Sequence, residues 1–257
     1  MSHDVKKNKL LKKIIGLLGY KIINKESAKT ERLIDSFNFN ITDFIKFLIN
    51  SKKIKEVIQI GANDGKSDDF LRDSIAKDTK VLLVEPIESA FVELKKNYLG
   101  YQNVKFINKA IDILNGKKTI YLVNPKYYQH YKKKYKSENV EWLTVLASFN
   151  KDHLSNHGIK LNHITSYEID CITFNDLIVE FNFKEVGLLV IDTEGHDYAL
   201  VKDFIEKTDL RPVIIFEWIH MHKNEAENLM NLLKREEYKV LKIDKDLICF
   251  QNNFFLS

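Results

Sequence analysis

Acids and histidines directly follow several apolar runs of this chain. Residues 192–197 (DTEGHD) come after 188–191 (LLVI), a run too apolar for a surface strand. Glu85 ends an earlier apolar run, and Glu217 with His220 follows a later one. In open α/β sheets, ligands bind outside the carboxyl ends of the strands. These side chains are therefore the first candidates for a site, with histidine suited to proton transfer and carboxylates suited to hydrogen bonds or a cation.

A glycine-bearing turn ends a β-branched run in residues 57–65 (VIQIGANDG). Glycine lets a chain turn tightly and approach a ligand, and a helix beginning after the turn would present a partly positive N-terminus. A second apolar run, 81–84, ends in Glu85 about 20 residues later, where nucleotide-binding folds place an acid that accepts hydrogen bonds from ribose hydroxyls. The order of strand, turn, helix, strand and acid predicts such a fold. The alternative is a tight turn that binds nothing.

The spacing of apolar residues predicts the elements that position these groups. The first three strands alternate with two helices, which indicates a parallel sheet with right-handed crossovers. These elements are strand 56–61, helix 67–75, strand 80–85, helix 88–98 and strand 104–108. An Asn115-Gly116 turn then leads into a strand at 118–123. The later elements are strand 166–172, helix 174–181, strand 186–191, helix 198–206, strand 212–218, helix 224–236 and an antiparallel hairpin of 238–243 with 247–251.

The α/β rhythm breaks at about 124–165, which predicts an insertion within a domain spanning 54–257. Residues 127–136 (YYQHYKKKYK) interleave tyrosines with lysines. We expect the insertion to bind an acceptor molecule or to close over the site, with Tyr128 as a candidate substrate contact. Two other interpretations stay open, namely a solvated surface helix and a single-stranded nucleic-acid contact.

Residues 1–53 predict an N-terminal helical extension. Residues 6–23 (KKNKLLKKIIGLLGYKII) have the pattern of a basic amphipathic helix, which could lie on an anionic membrane surface. A helix packed on the domain, or a frayed tail, is the alternative. Apolar spacing over 30–50 predicts a helix that covers the sheet edge. Because no run is long enough to span a bilayer and no signal-peptide cleavage pattern follows, the sequence predicts a cytoplasmic protein, peripheral at the inner membrane face if residues 6–23 bind lipid.

Charge and cysteine content exclude some classes of function. The net charge of +4 is concentrated in residues 1–21, which carry six lysines against one aspartate, so the rest of the chain is close to neutral. No nucleic-acid partner is predicted from such a body. Cys171 and Cys249 are the only cysteines and form no CxxC pair, which disfavours a zinc site or a disulfide framework and fits a reducing compartment.

Five motifs in order carry a resemblance to one family. They are GANDG at 61–65, VEP at 84–86, ITFNDL at 172–177, VIDTEG at 190–195 and IFE at 215–217. The turn lacks the GxGxxG spacing of a dinucleotide-dependent dehydrogenase, so a sulfonium nucleoside suits it better. Over about 55–250 the chain resembles the FkbM family of S-adenosylmethionine-dependent methyltransferases. Gln59 stands where that family usually has an acid, and Phe174-Asn175 replaces a Leu-Asp pair.

The resemblance implies a class I methyltransferase fold, which is α/β and Rossmann-like. It consists of a mostly parallel seven-stranded sheet with an antiparallel C-terminal hairpin and helices on both faces. It also implies S-adenosylmethionine as cofactor, with the glycine turn against its methionine and ribose parts, Glu85 at the ribose hydroxyls and Asn108 or Asp112 at the adenine amino group. The implied cofactor-binding residues are Gly61, Ala62, Asn63, Gly65, Glu85, Pro86, Asn108 and Asp112.

Methyl transfer requires that the acceptor atom be aligned and its proton removed. His196 is the first candidate for the base, and Asp192 would orient it or bind the acceptor hydroxyl. The alternative is a magnesium ion held by Asp192, Glu217 and His220, or with Glu194, that polarises the hydroxyl. The candidate substrate-binding residues are Glu194, Glu217, His220 and Tyr128.

The predicted reaction is methylation of a hydroxyl, on a sugar of a surface glycan or its nucleotide-linked precursor. The sugar is implied by the tendency of the family. Methylation of a nitrogen or of a non-sugar small molecule is a second hypothesis, and a cofactor-binding module without turnover is a third. An RNA methyltransferase is disfavoured by the near-neutral body. The oligomeric state stays open.

Overall fold

A computed structural model describes residues 41–51, 54–66, 71–135, 142–243 and 245–251. The amphipathic segment predicted at 6–23 lies outside these residues, as does most of the predicted extension. The strands are β1 (Glu56–Ile60), β2 (Lys80–Val84), β3 (Val104–Ile107), β4 (Ala110–Ile111), β5 (Gly116–Val123), β6 (Ala147–Ser148), β7 (Ile164–Ile172), β8 (Leu188–Ile191), β9 (Val213–Glu217), β10 (Tyr238–Ile243) and β11 (Asp246–Gln251). The α-helices are α1 (Ile41–Asn50), α2 (Glu88–Asn97), α3 (Tyr128–Tyr135), α4 (Trp142–Val145), α5 (Lys151–Asn156), α6 (Phe174–Glu180), α7 (Asp197–Lys207) and α8 (Lys223–Arg235).

The main sheet has seven strands in the order β10-β11-β9-β8-β1-β2-β3. Strands β3, β2, β1, β8 and β9 are parallel, whereas β11 runs antiparallel to both β9 and β10. This arrangement confirms the predicted seven-stranded fold with its C-terminal hairpin. The chain leaves β1 towards β2 and returns beside β1 as β8, so the strand order reverses between these two strands. Their carboxyl ends therefore flank the crevice in which such sheets bind ligands.

Helices cover both faces of the main sheet, which explains why its central strands are apolar almost throughout. On one face, α1 and α2 pack against alternate residues of the central strands, among them Val57 and Leu83. On the other face, α6, α7 and α8 pack against the intervening residues, among them Ile58 and Leu82. Alternation along each strand thus divides the core into two layers.

The prediction of a helix at 67–75 is wrong for residues 71–75, the part of this range that the structure describes. Residues 67–70 lie outside that part, and a single 3-10 turn follows at Arg72–Ser74. The position beside β1 is filled by α1 instead, because its buried face contributes apolar side chains to the core layer that a crossover helix would have covered. Ser74 Oγ donates a hydrogen bond to the Thr42 carbonyl, with 3.4 Å between the oxygens. The glycine turn is therefore not followed by a described α-helix before β2.

A second sheet of four strands has the order β4-β7-β5-β6. Strand β5 is antiparallel to β7 over its whole length, and β4 pairs with the end of β7 in parallel. The predicted turn at Asn115-Gly116 is present, with φ of +134° at Gly116. Strands β4 and β5 are nevertheless not neighbours, because β7 lies between them. The small sheet thereby brings the loop after β4 close to the main sheet.

The segment between β5 and β7 contains α3, α4, β6 and α5 and has a hydrophobic cluster of its own. Its buried members are Val123, Tyr131, Leu143, Leu146, Leu154 and Ile159. Inside this cluster, the Lys160 N–H donates to the Tyr131 hydroxyl over 2.8 Å, and that hydroxyl lies 2.9 Å from His163 Nδ1. In the described ranges, no helix combines the length and the apolar character needed to cross a bilayer.

Candidate functional site

The turn after β1 is built around two glycines with positive φ. A Cβ on Gly61 (φ +76°) would lie 1.8 Å from the Asp192 carbonyl oxygen, so only glycine lets β1 and the end of β8 approach this closely. A Cβ on Gly65 (φ +65°) would lie 2.5 Å from Leu94 Cδ1. Asn63 also has positive φ, at 48°. The glycines are thus required by packing against β8 and α2, a reason that sequence reasoning did not give.

The Glu85 side chain is hydrogen-bonded to the backbone of this turn. Its Oε2 accepts a hydrogen bond from the Asn63 N–H over 2.8 Å, and its Oε1 accepts one from the Ile87 N–H over 2.7 Å. Burial raises the pKa of Glu85 to about 7, although these two hydrogen bonds oppose the rise. Asn108 Nδ2 donates to the carbonyls of Glu85 and Pro86 over 2.9 and 3.1 Å. Asn108 therefore fixes the loop that carries Glu85.

Gln59 lies in the middle of the sheet, between Leu83 of β2 and Val190 of β8. Its side chain is buried, and its Oε1 has no hydrogen-bond partner among the described residues. A buried acceptor without a partner costs free energy, so a donor from a ligand would relieve that cost. The end of β1 that leads into the glycine turn therefore carries a buried hydrogen-bond acceptor without a described partner.

His196 pairs with Asp112, which the family resemblance had offered, as an alternative to Asn108, for the adenine amino group. Their contact is 2.9 Å from Nε2 to Oδ1, and Lys118 Nζ lies 2.7 Å from Oδ2 of the same carboxylate. Burial alone would raise the pKa of Asp112, but the hydrogen bonds from Lys118 and His196 bring it below its ordinary value. Burial holds the pKa of His196 below its ordinary value, although Asp112 opposes that shift. Phe149 stands edge-on to the imidazole, with 5.2 Å between ring centroids.

The loop after β8 is organised by Asp197 rather than by Asp192. The buried carboxylate of Asp197 accepts hydrogen bonds from the N–H and hydroxyl of Thr193 and from the Gly195 N–H, over 3.2 to 3.4 Å. Burial raises the pKa of Asp197 to about 7. This acid was not assigned a role from the sequence, and it serves as the scaffold of the loop.

Asp192 makes no hydrogen bond to His196 in the structure, so the prediction that it orients this histidine is wrong. Asp112 does so instead, because the small sheet brings it to the imidazole. Asp192 directly follows β8, where the residue reaches solvent while its carboxyl group lies close to surrounding protein. That environment and three nearby carboxylates raise the pKa of Asp192; the carboxylates belong to Asp197, Glu194 and Glu217.

Glu217 is buried between the imidazole of His220 and the ammonium group of Lys245. His220 Nε2 lies 3.0 Å from its Oε2, and Lys245 Nζ lies 3.2 Å from its Oε1. Burial alone would raise the pKa of Glu217, but these partners bring it below its ordinary value. The hydrogen bond to Glu217 in turn raises the pKa of His220. The predicted magnesium ligands Asp192, Glu217 and His220 do not form a common set of ligand atoms in the described part of the chain.

Glu194 turns towards His220 and towards two histidines, His153 and His157, that sequence reasoning overlooked. Its Oε2 lies 3.1 Å from His153 Nε2 and 3.8 Å from His220 Nε2. His157, one turn after His153, lies beside them. The H-x3-H spacing of residues 153 and 157 is the pattern that could have revealed them. Tyr128 lies elsewhere: it is partly buried against the hydrophobic cluster of the inserted segment, and no contact given by the structure joins it to these strand-end residues.

The comparisons with known proteins agree with this topology. The family model for the methyltransferase FkbM domain matches residues 59–240, which is most of the chain. The chain belongs to the FkbM methyltransferase family. The matched span includes the glycine turn, Glu85, the Asp112–His196 pair and Glu217. This is the family that the resemblance implied.

Solved structures similar to this FkbM chain include other methyltransferases, at low identity. A SAM-dependent O-methyltransferase from Thermotoga maritima is 10% identical with a TM-score of 0.42, over 82% of this chain and 64% of that one. A cofactor-bound protein from MTB is 10% identical with a TM-score of 0.47, over 84% and 82%. An rRNA methylase from Streptococcus thermophilus is 10% identical with a TM-score of 0.39, over 82% and 93%. No curated protein matches the chain.

The residues at the ends of β1 and β2 fit the cofactor that this family uses. Glu85 has a buried carboxylate that would suit ribose hydroxyls, and Gln59 has a buried Oε1 without a described partner that would suit an ammonium group. Both groups lie beside a turn whose backbone is held open by positive φ at Gly61 and Asn63. The buried acceptors on β1 and β2 therefore match a ligand rich in hydrogen-bond donors.

Proposed function

We propose that this protein transfers the methyl group of S-adenosylmethionine to a hydroxyl of a sugar, in a surface glycan or its nucleotide-linked precursor. The observation that carries the proposal is the contact between His196 and Asp112 at the carboxyl edge of the sheet, beside the glycine turn. A hydroxyl is a weak acid and needs a base as it attacks, whereas a neutral amine needs none at that step. A histidine oriented by a carboxylate is such a base.

The protonation of the pair follows from its geometry. Because Asp112 is held ionised by Lys118 and His196, its carboxylate can only accept hydrogen bonds. His196 therefore carries its proton on Nε2, which lies 2.9 Å from Asp112, and Nδ1 keeps the lone pair. In the reaction, His196 Nδ1 takes the proton of the acceptor hydroxyl, and Asp112 stabilises the imidazolium that results. Burial, which lowers the pKa of His196, keeps the imidazole neutral before that step.

The remaining residues bind and align the two reactants. When bound, S-adenosylmethionine supplies a methyl group on a positively charged sulfur. Glu85 would accept hydrogen bonds from ribose hydroxyls, and Gln59 Oε1 would accept one from the ammonium group. Asp192, which is exposed in the crevice, would accept a hydrogen bond from a second hydroxyl of the acceptor. No step in this proposal uses a magnesium ion at Asp192, Glu217 and His220, which do not form a common set of ligand atoms among the described residues.

The sugar is supported by the tendency of the family and by the polar character of the crevice edge. Carboxylates and imidazoles from three loops face this edge, and sugars are bound through many hydrogen bonds to such groups. The sequence-based expectations of a cytoplasmic location and of membrane contact through residues 6–23 stay part of the proposal. Liposome co-sedimentation with and without residues 1–25 would test the membrane contact.

The proposal is tested by a product-mass screen with labelled cofactor. Nucleotide-linked sugars, lipid-linked sugars and matched amino sugars would be offered to the full chain. We expect a mass gain of one methyl group on a hydroxyl, and loss of turnover by about 10²- to 10⁴-fold in His196→Gln with cofactor binding retained. Methylation of only the amino group, or full turnover in His196→Gln, would refute the hydroxyl mechanism.

A further inference from the structure

Three histidines and one glutamate form a compact cluster beside the candidate site. His153 lies in α5, His157 directly follows that helix, Glu194 lies in the loop after β8, and His220 follows β9. One potential ligand atom from each residue can be chosen so that all four lie within 4.8 Å of one another. The ring centroid of His153 lies 4.7 Å from that of His157 and 4.6 Å from that of His220. The described residues contain no other such group of three or more.

Local structure brings these side chains together. His153 and His157 are four residues apart, so one turn of helix places both on the same face. Glu194 has a positive φ of 50°, and its carbonyl accepts a hydrogen bond from Ser148 Oγ over 2.8 Å. Gly195 leaves room for the imidazole of His153, since a Cβ there would lie 3.4 Å from Nδ1. The loop conformation thus points the glutamate at the histidines.

A carboxylate outside the cluster orients one of its histidines. His220 Nε2 donates to Glu217, which Lys245 holds from the other side. Histidines that bind metals commonly donate one ring N–H to a carboxylate in this way, which fixes the ring and leaves the other nitrogen for the ion. For His220, that other nitrogen is Nδ1.

The donor set selects the type of ion. Three imidazole nitrogens and one carboxylate oxygen suit Zn²⁺, whereas Mg²⁺ prefers oxygen ligands and keeps several waters. Ligand atoms about 2 Å from a tetrahedral zinc ion lie roughly 3.3 Å apart. The His153–Glu194 contact of 3.1 Å already meets that spacing. Small side-chain rotations would bring in His157.

We propose that His153, His157, Glu194 and His220 bind one zinc ion. The ion would tie the inserted segment, through α5, to the loops that follow β8 and β9 of the main sheet. This site differs from the magnesium site expected from the sequence in its ligands, its metal and its link to the insertion. It does not depend on the proposed acceptor, because metal binding is measured without cofactor or substrate.

The test uses the full chain, stripped of metal with a chelator and titrated at pH 8 with Zn²⁺ against a chromophoric competitor. Co²⁺ provides a spectroscopic probe, because tetrahedral nitrogen and oxygen ligands give intense visible absorption. We expect one Zn²⁺ per chain, a tetrahedral Co²⁺ spectrum, and no response to Mg²⁺. His153→Gln and His157→Gln should each weaken Zn²⁺ binding by tenfold or more.

The matched control is His222→Gln, which removes an exposed histidine two residues beyond His220 and outside the cluster. It should bind Zn²⁺ like the unaltered chain. His157 is exposed, so His157→Gln should fold even if His153→Gln does not, and circular dichroism of the metal-free variants checks this. Absence of Zn²⁺ binding at micromolar concentration, or equal binding by His157→Gln and His222→Gln, would overturn the proposal.

Discussion

The acids around the crevice have different hydrogen-bond partners, and these partners decide how readily each carboxyl group ionises. Glu85 is bound by two backbone N–H groups, Asp112 by a lysine and a histidine, and Asp197 by the N–H groups of its own loop. Asp112 stays ionised because Lys118 and His196 donate hydrogen bonds to it, whereas burial raises the pKa of Glu85 and Asp197 to about 7. Identical carboxyl groups therefore serve as a histidine partner, a ligand acceptor and a loop scaffold.

The Asp112–His196 pair predicts a specific kinetic defect. Asp112→Asn should lower kcat by about 10²-fold or more, because an amide no longer stabilises the imidazolium and can favour the other tautomer. The dissociation constant of S-adenosylmethionine should change little. Rapid-mixing kinetics and calorimetry measure the two quantities. Asp170→Asn, an exposed acid on the same small sheet, serves as the control. Equal kcat values for Asp112→Asn and Asp170→Asn would exclude the positioning role.

Glu85 predicts a pH dependence of cofactor binding. Ribose hydroxyls donate to the ionised carboxylate, and with a pKa of about 7 only about a tenth of Glu85 is ionised at pH 6. The affinity for S-adenosylmethionine should therefore rise by about tenfold between pH 6 and pH 8 and then level off. Calorimetry across this range measures it. In Glu85→Gln the binding should be weaker at pH 8 and the rise should disappear; a rise that persists in Glu85→Gln would assign it to another group.

At the scale of elements, the carboxyl ends of β1 and β8 touch through backbone atoms. The Asp192 N–H donates to the Ile60 carbonyl over 3.0 Å, and Gly61 packs against the Asp192 carbonyl. The turn that would bind the cofactor and the loop that carries His196 are thus mechanically coupled. A side chain at residue 61 would push the turn after β1 away from the loop after β8. The geometry of the site therefore depends on this backbone contact between the two strands.

From this contact we predict how much stability the protein loses when one methyl group is added at Gly61. Gly61→Ala should lower the unfolding free energy by about 3 kcal/mol or more, because positive φ costs a non-glycine residue about 1–2 kcal/mol and the clash adds strain. Gly100→Ala should cost only about 1–2 kcal/mol, since Gly100 also has positive φ but nothing lies within 4 Å of its Cβ position. Urea unfolding measures both. Equal losses would mean that the close approach of β8 adds nothing.

At the scale of the whole molecule, the described residues form three hydrophobic clusters rather than one. Two lie on the faces of the main sheet, and the third lies inside the segment between β5 and β7. Polar contacts join that segment to the main sheet at Glu194, through Ser148 and His153. Such a unit can open locally while the main sheet stays folded.

Hydrogen exchange tests this division. Leu154→Ala removes a fully buried side chain from the third cluster, which costs about 2–5 kcal/mol in comparable cores. Amide exchange should speed up in residues 142–163 and stay unchanged in β1 and β8. Leu189→Ala, in the central strand β8, is the matched change and should speed exchange in the main sheet. Uniform acceleration in Leu154→Ala would show that the molecule unfolds as a single unit.

The sequence by itself determined the main sheet and the polar residues that follow its strands. Buried parallel strands leave apolar runs, and the turns at their carboxyl ends leave glycines and acids, so β1, β2, β8 and β9 and residues such as Glu85 and His196 could be predicted locally. The helix at 67–75 could not be excluded, because its replacement on the sheet face, α1, comes from before β1.

Only the tertiary structure decided which distant residues meet. Asp112 reaches His196 across 84 positions because β4 pairs with β7 in a separate sheet, and nothing near either residue encodes that pairing. His153 and His157 meet Glu194 and His220 for the same reason. Periodicity reports which face of an element is buried, but the contact between two elements depends on register and packing, which the whole chain sets at once.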